Sequence, residues 1–145
     1  MDQKDYIVIV QCDISMQRCS GYACEKAFID RAGGFGVYAA DKTYRALYLT
    51  CGGCCGKGLH RKLKHLIQKL EKKENIAKDR IVVQLATCIT KASHHGPACP
   101  HLDLMKDMIG KLGLDYREDT SISRRAEERR AAGIYGTPSR KEGLV

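Results

Sequence analysis

Eight cysteines are the residues of this 145-residue chain whose chemistry stands out. Cys12, Cys51 and Cys88 each follow a short apolar run, at residues 6–10, 46–49 and 81–86. Thiolates bind zinc and iron–sulfur clusters, and they also act as nucleophiles and redox groups. The sequence therefore predicts either a metal site or thiol chemistry.

Two short motifs hold most of the remaining candidates. Cys51-Gly52-Gly53-Cys54, followed at once by Cys55, precedes a basic amphipathic segment, and Cys99-Pro100-His101 precedes a second helical segment. The two glycines permit a tight turn, so both flanking sulfurs can face one ion. The helix that follows, together with Lys57, favours the thiolate form of cysteines in this turn.

The cellular compartment determines whether the eight cysteines can form stable disulfides. The apolar run at residues 6–10 is too short for a secretory signal, and the residues before it are too acidic. We therefore expect a cytoplasmic protein. Structural disulfides are disfavoured in the reducing cytosol. Metal binding or thiol chemistry is therefore the better interpretation of the cysteines.

The elements that must position these residues alternate along the chain. The three apolar runs and residues 114–118 predict strands. Residues 23–31, 56–74, 102–111 and 122–132 predict helices. Alternation of this kind indicates an α/β fold, a three-layer αβα sandwich with a mainly parallel sheet of about four strands, flavodoxin-like or Rossmann-like. We expect the apolar strands to be buried on both faces.

Parallel strands end at one edge of a sheet, and that edge is where open α/β sheets bind ligands. Cys12, Cys51 and Cys88 each follow a strand, and Cys99 and His101 lie between the third strand and the next helix. We therefore expect the cysteines to converge on the carboxyl edge.

The tetrapeptide and its surroundings resemble the CGGC domain family. The other landmarks are Val10-Gln11-Cys12, Leu85-Ala86-Thr87-Cys88 and Cys99-Pro100-His101, and the resemblance spans residues 5–120. The family is associated with metal binding through its Cys and His content, so the resemblance implies a ligand set and no particular reaction. This chain departs from the pattern at Cys55 and at Asp119-Thr120-Ser121, where Gly-Thr-His would fit better.

These observations predict a metal-binding protein, with zinc as the cofactor and an Fe–S cluster as the alternative. A thiol-based redox protein with the dithiol Cys51/Cys54 is the other alternative. The predicted metal ligands are Cys12, Cys51, Cys54, Cys88, Cys99 and His101, and the auxiliary candidates are Cys19, Cys24 and Cys55. Which of Cys54 and Cys55 coordinates stays open. No carboxylate occurs in the CGGC turn or the 88–101 loop, so neither a catalytic residue nor a substrate can be named.

Charge and domain organisation complete the predictions. The chain has a formal net charge of +8, and residues 56–75 hold seven Lys or Arg against two Glu. This basic helix has no interleaved aromatic residues and no known RNA-binding signature, so the sequence does not favour nucleic acid as a partner. No segment is apolar enough to predict a membrane partner. We expect one domain over residues 1–120 and a basic helix and tail over 121–145.

Overall fold

The computed structural model describes residues 3–53, 57–91 and 98–133. Its strands and helices follow one another in the predicted alternation. In chain order they are β1 (Tyr6–Gln11), α1 (Tyr22–Asp30), β2 (Arg45–Thr50), α2 (Lys57–Glu74), β3 (Ile81–Leu85), α3 (Thr87–Thr90), α4 (Leu102–Lys111), β4 (Asp115–Glu118) and α5 (Arg124–Ala131). Residues 134–145 of the predicted tail lie outside the described ranges.

The four strands form one parallel sheet in the order β2-β1-β3-β4. This confirms the predicted α/β fold with a parallel sheet. Between the two suggested architectures, the order is the flavodoxin-like one, in which the chain passes from β1 to one side and from β3 to the other.

Apolar side chains cover the sheet on both faces. One face packs against α2 and α4, which bury Leu59, Leu63, Leu70, Met105 and Ile109. The other face packs against α1 and the loop that follows it, where Phe28, Phe35, Tyr38 and Tyr44 form a chain of aromatic contacts. Helices thus lie on both faces, as a three-layer fold requires.

Burial differs between the central and edge strands. Every residue of β1 and β3 is buried, whereas β2 has none buried among its six residues. The expectation that all three apolar runs are buried on both faces is wrong for β2, because it lies at the sheet edge with β1 as its single neighbour.

The predicted helices are present with small shifts at their ends. The amphipathic segment forms α2, whose apolar stripe faces the sheet while its lysines lie outward. Across the described ranges, no helix has both the length and the hydropathy needed to cross a bilayer.

Candidate metal centre

Cys12 and Cys88 meet between β1 and β3, where the chain reverses the direction in which it adds strands to the sheet. Cys12 directly follows β1, and Cys88 lies in the first turn of α3, just beyond β3. The backbone N–H of Cys12 donates a hydrogen bond to Cys88 Sγ at 3.4 Å. The crevice between the central strands of this fold type is where ligands bind. The structure therefore joins two predicted ligands at the expected place.

Cys51 and Cys99 are held next to this pair by backbone hydrogen bonds. The N–H of Cys51 donates to the Gln11 carbonyl at 3.0 Å, and the N–H of Cys99 donates to the Ile89 carbonyl at 2.8 Å. Cys51 is buried in the apolar cluster beneath α2 and α4, and Cys12, Cys88 and Cys99 pack against that same cluster. Four predicted ligands thus share one side of the carboxyl edge.

The electrostatics of the pocket favour neutral thiols in the absence of a cation. Burial is the largest cause that raises the pKa of Cys88 to about 11; the hydrogen bond from the Cys12 N–H lowers it, and the neighbouring Cys12 and Cys24 contribute smaller increases. Burial also raises the pKa of Cys99, with smaller contributions from Cys51 and Cys12. A bound cation would compensate the charge that these thiolates cannot hold alone.

The backbone conformation of Gly52 and Gly53 explains why the CGGC turn has glycine at both positions. Gly52 has φ 86° and Gly53 has φ 72°, in the left-handed region that favours glycine. A Cβ on Gly52 would lie 3.2 Å from Gly58 Cα, and one on Gly53 would lie 3.0 Å from an Asp13 carboxylate oxygen. Both conformation and close contact therefore require glycine. Cys54 and Cys55 lie outside the described residues.

A polar network that the sequence reasoning missed joins the β1 loop to α2. Thr50 Oγ1 donates to Asp13 Oδ1 at 2.9 Å, and Lys62 Nζ donates to the Thr50 carbonyl at 2.9 Å. Asp13 therefore brings a carboxylate against Gly53, although the CGGC tetrapeptide itself contains none. The position of Asp13 directly after Cys12 was the one sequence feature that could have indicated this role.

Of the auxiliary candidates, Cys24 comes to the pocket from the opposite face of the sheet. It lies in the first turn of α1, and its Sγ is 3.2 Å from Thr120 Oγ1. The backbone N–H of Thr87 donates to that same hydroxyl oxygen. Cys19, in contrast, accepts a hydrogen bond from the N–H of Gly21 within its own loop, at 3.4 Å.

His101 lies at the outer end of the pocket. It occupies the N-cap position of α4 and is exposed, and its backbone N–H donates to Cys99 Sγ at 3.4 Å. The backbone thus ties His101 to a predicted ligand, while its imidazole stands at the solvent-facing rim.

Gln84, which the sequence reasoning included in an apolar run, fixes the loop after β4. Its fully buried side chain accepts a hydrogen bond from Tyr38 Oη at 2.7 Å and donates to the Asp119 carbonyl at 2.6 Å. Because Asp119 precedes Thr120, this bond helps to position the hydroxyl that contacts Cys24. A polar residue in the middle of a buried strand was the available signal.

The thiol groups at the carboxyl edge are donors of the type that a thiophilic metal prefers, and they lie on the same edge of the sheet. Among the described residues, no three His, Cys, Asp or Glu side chains already form a group that could hold a metal ion. The arrangement therefore gathers soft donors without a complete coordination sphere in that part of the chain.

A family comparison decides what the chain is related to. The model of the CGGC domain matches residues 6–120. The chain belongs to the CGGC domain family. The resemblance inferred from its sequence motifs is thus confirmed, and this membership supports a metal ion as the ligand of the CGGC domain without naming the metal. Neither a curated protein nor a solved structure matches the chain.

Proposed function

We propose that this CGGC domain binds zinc at the carboxyl edge of its sheet. The candidate ligands are Cys12, Cys51, Cys54, Cys88, Cys99 and His101. The observation that supports this most is the hydrogen bond from the Cys12 N–H to Cys88 Sγ, because it brings together two candidate ligand residues that are 76 positions apart in the chain. Zinc takes Cys and His ligands in tetrahedral sets, which suits this donor composition.

The proposed centre needs one or more ligands from the CGGC turn. Zinc requires about four ligands, and the described residues contain no ready group of three. Cys54 directly follows Gly53, which lies beside the Asp13 carboxylate, so we propose that Cys54 supplies a further ligand of the set. A site filled entirely by Cys and His is structural in type, whereas a retained open position would give zinc Lewis acidity.

Protons compete with the metal at this edge. The raised pKa values of Cys88 and Cys99 mean that both are thiols at neutral pH in the metal-free protein. Zinc binding must release those protons, so we expect its affinity to increase with pH.

The experiment is elemental analysis with free-thiol counting on anaerobically purified protein to which no metal was added. We expect roughly one zinc per chain and a matching loss of reactive thiols, since Zn²⁺ binds thiolates. Less than about a tenth of a metal ion per chain, with all eight thiols reactive, would contradict the proposal. Iron with absorbance near 400 nm would indicate the Fe–S alternative instead.

Single serine variants test the ligand choice. Cys51→Ser and Cys54→Ser should lower metal occupancy strongly, because serine replaces a soft thiolate ligand. Cys55→Ser should matter less, and Cys19→Ser serves as the matched control because Cys19 is bonded within its own loop. Equal occupancy in all four variants would contradict the ligand assignment.

The thiol-redox alternative is supported by the place of Cys51 at the end of β2, with α2 beginning at Lys57. A dithiol between a strand and a helix N-terminus is typical of thiol–disulfide oxidoreductases. Reduced, metal-free protein that catalyses insulin reduction, with loss of activity in Cys51→Ser, would favour this alternative. The cytoplasmic location remains a prediction from the sequence.

A further inference from the structure

The outer face of α2 carries a straight row of positive charge, which we name the cationic row: Lys57, Arg61, Lys64 and Lys72. The spacing of three, four and eight residues places these side chains on one side of the helix. Leu59, Leu63 and Leu70 are buried on the other side. All four members of the row are exposed. With a rise of 1.5 Å per residue, the row extends for about 22 Å.

The two carboxylates of α2, Glu71 and Glu74, form no ion pair with this row. Throughout the described ranges, no ion pair reaches any of its four side chains. Glu74, one of two acidic residues on α2, pairs instead with Arg45. Lys62 on the flank of the helix is turned to the Thr50 carbonyl. The row therefore presents like charges that an external anion would stabilise.

The residue composition of the outer face of α2 indicates which class of anionic partner it can bind. It has no apolar side chain of the kind that forms the dry centre of a protein interface. Insertion into a membrane surface needs an apolar helix face, but that face of α2 is buried against the sheet. Single-stranded nucleic acid is bound largely by stacking on aromatic side chains, and α2 contains none.

The surface between these side chains is indented. One shallow hollow is lined by Lys57, Gly58, His60 and Arg61, and the next by His60, Arg61, Lys64, His65 and Gln68. Lys, Arg and His side chains contribute to both linings, and no carboxylate lies among the described lining residues. This is the donor set that contacts phosphate oxygens without reading bases.

We propose that the cationic row binds the phosphate backbone of double-stranded nucleic acid, independently of sequence. The absence of aromatic residues, from which the sequence reasoning argued against nucleic acid, excludes base stacking and leaves phosphate contacts intact. A duplex offers the highest density of phosphate charge, which suits a rigid row. This proposal does not depend on the metal centre at the carboxyl edge.

The test is a fluorescence anisotropy titration of a labelled 20-base-pair duplex with the full chain, between 50 and 200 mM NaCl. Four phosphate contacts predict a slope of log affinity against log salt of about −3.6, which is roughly a 100-fold loss over this range. The variant Arg61→Gln/Lys64→Gln should halve the slope and weaken binding at least about 10-fold at 50 mM NaCl.

The matched control is Lys26→Gln/Lys111→Gln, which removes the same charge from two exposed lysines on other helices. It should bind the duplex within about twofold of the unaltered chain, since these lysines lie outside the row. No binding at 50 mM NaCl would overturn the proposal. So would an equal loss in both variants, or tighter binding to vesicles containing phosphatidylserine than to the duplex.

Discussion

Asp119 has a backbone φ of 75°, at the position where the resemblance to the CGGC domain led us to expect glycine. Its carboxylate compensates for this conformation by accepting hydrogen bonds from Thr90 Oγ1 and Lys91 Nζ. Asp119 therefore keeps the left-handed backbone conformation that glycine would adopt, and its carboxylate adds hydrogen bonds that glycine could not make. It fixes the loop that presents Thr120 to Cys24.

Replacement of Asp119 separates these two effects. Asp119→Ala loses the carboxylate contacts and keeps the left-handed strain, whereas Asp119→Gly loses the same contacts and relieves the strain. We expect the Asp119→Gly variant to be more stable than the Asp119→Ala variant by about 1 kcal/mol, as measured by urea unfolding. An alanine variant as stable as the glycine variant would show that the backbone at residue 119 is not strained.

Cys88 predicts a pH dependence of stability in the metal-free, reduced protein. Its pKa is raised from 9.0 to about 11, so the folded state holds the thiol proton more tightly than the unfolded state does. The resulting stability is fully present below pH 9 and is lost as the pH rises toward 11. The loss is on the order of 3 kcal/mol.

Cys88→Ser supplies the comparison, because serine does not titrate in this range. The difference in unfolding free energy between the unaltered chain and Cys88→Ser should narrow or change sign between pH 9 and 11. Parallel curves for the unaltered chain and Cys88→Ser would contradict the burial of a neutral thiol at this position.

At the scale of elements, the CGGC turn needs the left-handed backbone conformation that glycine adopts freely, whereas α4 does not. Gly52→Ala should destabilise the protein by about 1–2 kcal/mol, because φ 86° disfavours alanine and the new Cβ would lie 3.2 Å from Gly58 Cα. Gly110→Ala should stabilise it by about 0.5–1 kcal/mol, because Gly110 is helical and has open space around its Cβ position.

Urea unfolding of the two alanine variants measures this contrast directly. Both substitutions add one methyl group, so the volume change is matched and the backbone conformation differs. Gly52→Ala with unchanged stability would contradict the assigned turn geometry.

The strands and long helices could be predicted because their patterns report exposure to solvent. The apolar stripe of α2 gave its position to within one residue at its start, and the apolar runs gave β1 and β3. Position after a strand also predicted the meeting of Cys12 and Cys88. Hydropathy alone does not reveal hydrogen-bond partners, so the roles of Gln84 and Asp13 could not be predicted. The single turn of α3 is too short to show a period.

At the scale of the whole molecule, sulfur and positive charge occupy different surfaces. The carboxyl edge gathers Cys12, Cys51, Cys88 and Cys99, whereas the cationic row faces outward along α2. The sheet order explains this separation, because α2 crosses from β2 over β1 to β3 and buries its apolar stripe on the way. The two proposed activities can therefore be tested by variants that do not overlap.

Thiol protection by zinc, mapped by alkylation and mass spectrometry, tests most directly whether distant cysteines form one centre. With zinc bound, Cys12 and Cys88 should both resist alkylation and should both react once a chelator removes the metal, while Cys19 reacts in either state. Zinc-loaded protein in which Cys12 or Cys88 is alkylated as readily as Cys19 would contradict the account.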